Sequence, residues 1–339
     1  MRMPAKGCLG VKMINQYNPK IHEGLQPIRV LANNIIFHFE NVYPNFREES
    51  KRHEELYLLS PAIQCFLNKE PLNYKTVVML PYLDDDKGIK IIHLSETFLS
   101  YEWCICYAIV SLYFDFIYYP TLKAREAGIT EWKTHDEIEK YVDLSNFQEI
   151  KKIISYGFSL IDSYSEWDKN TLPNPELFPD EKAENIGRAN HAFLCATTYI
   201  LSHEFSHAKY GHTEKNCKKC ELEKENQAEE NAFNMIIKGI TSGDDDVKFN
   251  ISIGTIAGIC SLFFIDSTLE NEGHPDCDAR VKKYFELLGI DENDSLWAIP
   301  CIAYQLWSIA YGKNLRFPEH EKTYKDLFLS LQEQEWEKR

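Results

Sequence analysis

The sequence predicts a mostly helical α+β chain with one small β-hairpin or sheet. Three observations lead there. Apolar residues recur at helical spacing through most of the second half, two β-branched runs flank an acidic turn just after residue 80, and prolines crowd into 171–184, just before a long helical pattern. The chain has 339 residues, 44% of them hydrophobic, enough to bury a sizeable core as one large domain or two ordinary ones.

Taken in order, residues 1–70 mix short apolar and polar pieces, with helix expected over 25–39, and read as an N-terminal extension to a domain spanning 71–339. In KTVVMLPYLDDDKGIKIIHLS the runs 77–80 and 89–94 are strands and DDDKG is their turn. Residues 101–119 form a long apolar helix, and 120–165 are helical and amphipathic. TLPNPELFPDEKAE, at 171–184, is an irregular loop. It leads into a helix over 186–210 that Gly211 is placed to end. A further helix follows Cys217–Cys220, and 249–264, 279–288 and 296–311 are helical.

Composition excludes some functions. A net charge of −15 repels a phosphate backbone, so nucleic acid is not an expected partner. The apolar stretches 104–119, 251–265 and 296–311 are each shorter than the ~20 residues of a spanning helix, so buried helices and no membrane span are expected. MRMPAKGCLGVK lacks the apolar region of a secretory signal, and the ten cysteines are expected as reduced thiols in the cytoplasm.

The chemistry concentrates in LSHEFSHAKYGH. His203 and His207 are four apart and share one helix face, so both imidazoles can reach a single ion. Glu204 lies about 100° round the helix, facing the same cavity without being forced to ligate, as suits a base acting on metal-bound water. Zinc fits, because neutral imidazole binds it well and it lowers the pKa of its water to about 7. A third ligand is needed. A histidine six residues past His207, with glycine three past it, is excluded by Thr213 and Tyr210, and His212 is expected at the surface. ELEKENQAEENAFNMIIKGI instead offers Glu221, Glu223, Glu225, Glu229 and Glu230. Glu225, Ala228, Glu229, Ala232, Met235 and Ile236 form one stripe that must meet the core, while Glu223, Gln227, Glu230 and Asn234 face water. Glu221 is on the right face but a turn early. A buried carboxylate needs a partner or a metal. Glu225 is therefore the expected third ligand, and Glu229 the group that orients a ligand histidine.

HEFSH followed by ENQAEENA resembles the gluzincin pattern HExxH…ExxA(D/E)xxA, which places Glu225 on the third-ligand position and Glu229 where aspartate is usual. HPDCDAR, at 274–280, is similar to the HPxxxxR element of HtpX-like peptidases. The whole is most similar to the Lit-type family of phage-exclusion peptidases. That resemblance implies a zincin-like metallopeptidase fold, a cytoplasmic zinc endopeptidase, a role in abortive infection, elongation factor Tu as protein substrate and a phage component as activator. His274 is a candidate second catalytic group and Arg280 a supporting one. Either can aim a donor at the developing oxyanion; alternatively, His274 lies in the loop before a helix begun by Pro275 and Asp276, and Arg280 forms a salt bridge.

Other readings stay open. Cys217 and Cys220 form a lone CxxC, either a tight loop or half of a second metal site. The loops 171–184 and 211–220 are candidate lids. The chain can also be a regulatory gluzincin that cuts a repressor, or a non-catalytic zinc-stabilised binding module. Glu204 counts against the last, since a structural zinc site needs no base.

Overall fold

The computed structural model describes residues 26–45, 48, 64–66, 77–82, 89–129, 139–177, 184–212, 217–241, 245–269, 275–318 and 321–336. It is mostly helical. After a 3-10 turn at Pro27–Leu31 come α1 (Ala32–Val42), β1 (Gln64–Phe66), β2 (Val77–Tyr82), β3 (Ile89–Ser95), α2 (Glu96–Leu112), α3 (Tyr119–Glu126) and α4 (Phe147–Asp162). Then follow α5 (Glu184–Lys209), α6 (Glu221–Thr241), α7 (Asp245–Ser261), α8 (Cys277–Leu288), α9 (Ala298–Ala310) and α10 (Tyr324–Trp336).

The expected hairpin is present: β2 pairs antiparallel with β3, Val77 opposite Leu94 and Tyr82 opposite Ile89. The sheet has a third strand, because β1 pairs parallel with β3 on its other side. A boundary at residue 70 therefore cuts through the sheet. The helix before it is also no appendage. Ile35 and Phe39 of α1 are fully buried in the common core, and Phe39 meets Phe205 of α5 edge-on at 6.2 Å. His38 gives its Nδ1 proton to Thr198 Oγ1 at 2.8 Å, since that hydroxyl already donates to Leu194 O.

The central helix α2 starts where Ser95 accepts the Phe98 N–H at 3.1 Å, a cap within the SETF sequence. It runs through a π turn, Tyr113–Tyr118, into α3. Pro120 follows that turn and has no N–H to give the turn before it, so the widened turn re-registers the ladder. The helical stretches Glu96–Glu126 and Asp245–Phe264 are longer than the apolar runs read from sequence, and are long and apolar enough to cross a bilayer by that measure alone. In this fold their apolar windows are 67% and 72% buried against the rest of the protein.

Helices α5 and α7 touch almost backbone to backbone. A Cβ added at Gly254 would sit 2.5 Å from Cys195 Cβ, and one at Gly258 would sit 2.8 Å from the Cα of Ala196. Glycine on one helix and alanine on the other permit this approach, which braces α5 over residues 192–196.

Beside that seam lies a buried acid. Glu102 Oε2 is 2.7 Å from Ser261 Oγ, and Ser261 Oγ donates to Gly258 O at 2.7 Å. One hydroxyl proton cannot serve both contacts, so Glu102 must itself carry a proton and donate it. Burial pushes its carboxyl from 4.5 up to about 8. A folded-state pKa above the unfolded one gives a stability contribution complete below pH 4.5 and lost as pH rises to about 8. Glu102→Gln keeps the shape and a donor. Compared with wild type, it is expected to flatten the fall of unfolding free energy between pH 5 and 8, a fall of at most about 1.4 kcal/mol per pH unit. Identical pH profiles for the two proteins would contradict this.

Candidate metal centre

Helix α5 is 26 residues long and nearly all its side chains from Ala189 to Ala208 are buried. It ends in a Schellman motif. Gly211, at φ 65°, gives its N–H to Ala208 O at 3.2 Å, and the His212 N–H reaches back to His207 O at 3.0 Å. Only glycine takes that conformation without strain. Helix α6 packs against α5. Asn231 of α6 ties the two together, donating to Ser206 Oγ at 2.6 Å and accepting from Tyr210 OH at 3.0 Å.

This pairing brings three expected residues together. His203 Nε2 lies 3.1 Å from His207 Nε2 and 3.0 Å from Glu225 Oε2, and His207 Nε2 lies 3.4 Å from Glu225 Oε1. All three side chains are buried, and among the described residues they form the one group of three or more metal-type donors this close together. A tetrahedral ion with bonds of about 2.05 Å holds its ligand atoms about 3.3 Å apart, so zinc fits this triangle. The pocket also favours positive charge. Burial pushes the His203 imidazole down, but the hydrogen bonds to Glu225 and Glu229 and the charge of Glu204 outweigh it and hold its pKa at about 9. A proton or a metal cation satisfies the same field. Glu204 itself is half-buried, next to His203 on the helix.

The α6 stripe is buried as a unit: Glu225, Ala228, Glu229, Ala232, Met235 and Ile236 are all at or below 8% exposure. Glu221 is on the surface, paired with Lys224. Behind the triangle, Glu229 Oε2 takes the His203 Nδ1 proton at 3.2 Å, and Oε1 accepts from Tyr199 OH at 2.6 Å. Arg280 NH1 stands 3.7 Å from the same carboxylate, and its Nε donates to Pro275 O at 3.0 Å. Burial raises the Glu229 carboxyl, but Arg280, His203 and Tyr199 together bring it below its ordinary value. Two residues before Arg280, the buried Asp278 carboxylate accepts from Tyr304 OH and Gln332 Nε2, each at 3.0 Å, and so ties α8 to α9 and α10.

Two residues stand elsewhere than the sequence reading puts them. His212 is buried, not on the surface, with Nδ1 3.2 Å from His207 Nδ1. Burial holds its pKa below the ordinary value. Gln227 does not face water alone: its Oε1 meets His212 Nε2 at 2.8 Å and is also contacted by Lys219 Nζ. Tyr199 was missed, although it sits one turn before His203 on the ligand face.

Of the rest, His274 lies outside the described residues. Cys217 is half-exposed and Cys220 exposed, and the Cys220 N–H is held by Glu223 Oε2 at 2.9 Å, so this stretch caps α6. Part of the proline loop is pinned to the core: Trp167 Nε1 donates to Pro173 O at 3.1 Å and Asn190 Nδ2 to Pro175 O at 3.3 Å. Residues 178–183 and 213–216, the other parts of the candidate lids, lie outside the described residues.

The family model for peptidase U49 matches residues 92–300, more than half of the chain. The chain belongs to the peptidase U49 family. The match runs from β3 into α9, so it takes in both helices of the triangle, Glu229 and Arg280. Peptidase U49 membership gives the reaction class, hydrolysis of peptide bonds. No curated protein and no solved structure matches the chain.

Proposed function

We propose that this peptidase is a zinc-dependent endopeptidase of zincin-like architecture, with zinc held by His203, His207 and Glu225. The observation that carries the reading is the convergence of two imidazole Nε2 atoms and one buried carboxylate within 3.0–3.4 Å of one another. When bound, zinc supplies Lewis acidity that polarises the scissile carbonyl and acidifies water. Glu204 takes the proton of the attacking water and passes it to the departing amine. Glu229 fixes the His203 ring, and Arg280, committed to Glu229 and to Pro275 O, holds Glu229 in place instead of meeting substrate. His274 remains the candidate oxyanion donor. Among the described residues β2 ends the sheet order β1-β3-β2, and its outer edge is the proposed edge for an extended substrate.

The resemblance to the Lit-type family supports a cytoplasmic enzyme of anti-phage defence, with elongation factor Tu as protein substrate, a phage component as activator, no nucleic-acid partner and no membrane span. An open zinc site in the cytoplasm would damage its own cell, which favours a gated enzyme. The test is to incubate purified protein with elongation factor Tu and with cell lysate, each with and without extract of phage-infected cells. New termini in elongation factor Tu, appearing only with infected extract, are the expected result. Equal cutting in every arm contradicts gating. Cutting of another protein alone, such as a repressor, discards the inherited substrate, and no zinc-dependent cutting of any protein discards the zinc endopeptidase.

A further inference from the structure

We propose that His212 and Gln227 are positioning residues for His207, fixing its proton on Nδ1 and turning its Nε2 lone pair towards the metal. This rests on the zinc reading above, and it gives the second histidine of the motif a support unlike that of the first. His203 is backed by the Glu229 carboxylate, whereas His207 is backed by a neutral relay.

The proton positions follow from the partners. Lys219 Nζ can only donate, so the Gln227 atom it contacts is the carbonyl oxygen. That same oxygen lies 2.8 Å from His212 Nε2, which must then carry a proton. In a neutral imidazole one ring nitrogen donates and the other accepts. Its Nδ1 is therefore a lone pair. That lone pair is 3.2 Å from His207 Nδ1, so the proton between them belongs to His207. Nδ1–H on His207 leaves Nε2 bare, facing His203 Nε2 and Glu225 Oε1.

The backbone places this relay. The Schellman reversal at Gly211 swings His212 back against the last turn of α5, with the His207 and His212 rings edge-on and centroids 5.0 Å apart. Tyr210 lies nearly parallel to His212 at 5.9 Å. Partners that orient a ligand histidine typically contribute 10–100-fold in metal affinity, by about the same route in many sites.

The experiment measures zinc affinity of the full chain by chelator competition, together with the nitrogen-15 signature of the His207 ring in metal-free protein. His212→Phe keeps ring volume and removes the acceptor; it is expected to weaken zinc binding by about 10–100-fold. His212→Asn puts Oδ1 where Nδ1 sits, and is expected to stay close to wild type. Gln227→Met is expected to fall between them, and it carries the test with His212→Asn if His212→Phe does not fold. His207 protonated on Nδ1 in metal-free wild type is the expected spectrum. Unchanged affinity in both His212→Phe and Gln227→Met, or an equal loss in His212→Asn and His212→Phe, overturns the proposal while leaving the zinc reading intact. A wild type that binds no zinc ends the zinc reading, and His207 protonated on Nε2 in the metal-free spectrum ends the positioning role.

Discussion

Glu204→Gln is expected to retain fold and zinc and to lose proteolysis by on the order of 10²-fold or more, the contribution of a positioned general base. The substitution is isosteric on a half-buried position, so the packing of α5 should barely change. The three converging donors, His203, His207 and Glu225, are all kept in this variant. What disappears is a carboxylate able to accept a proton and give it up. The loss should fall on kcat, because the base acts in the transition state and contributes little to substrate binding. Measuring kcat/KM, metal content and thermal melting on the same preparation separates the outcomes. Undiminished cleavage removes Glu204 as the base, and loss of zinc makes it a ligand.

The second large effect concerns α6. Glu225→Ala is expected to cost zinc affinity well beyond the about 10–100-fold typical of an outer partner, while Glu221→Ala leaves zinc unchanged. Glu225 is 8% exposed and reaches both imidazoles, at 3.0 and 3.4 Å. The Glu221 side chain is 73% exposed and engaged with Lys224 on the surface. Elemental analysis of the two variants after dialysis decides it. Zinc kept by Glu225→Ala and lost by Glu221→Ala would put the α6 ligand one turn earlier.

What could be read from the sequence was what a single element determines about itself. The spacing of His203 and His207 needs only one helix, and so does the Glu225–Ile236 stripe, whose members are all buried. The hairpin announces itself through its turn and two β-branched runs. Features set by distant chain were not legible. β1 is three residues long and joins by parallel pairing to a strand far along the chain, which leaves no local pattern. Gln227 is on the outer side of its own helix, and a helical wheel has no knowledge of the loop that folds His212 over it. Two signals were present but unused. Gly211 followed by His212 is the pattern of a reversal that returns a side chain to the preceding turn, and Tyr199 is one turn from His203. The glycines of α7 gain meaning only opposite Ala192 and Ala196.

X-ray absorption at the zinc edge of the wild-type protein tests the central claim most directly. About one zinc per chain is expected, with a first shell of nitrogen and oxygen near 2.0–2.1 Å, two imidazole rings in the outer scattering and no sulfur. The same spectrum from His203→Ala should be absent along with its metal. A sulfur shell near 2.3 Å, placing zinc on Cys217 and Cys220, or full zinc content in His203→Ala, would contradict a centre built from His203, His207 and Glu225.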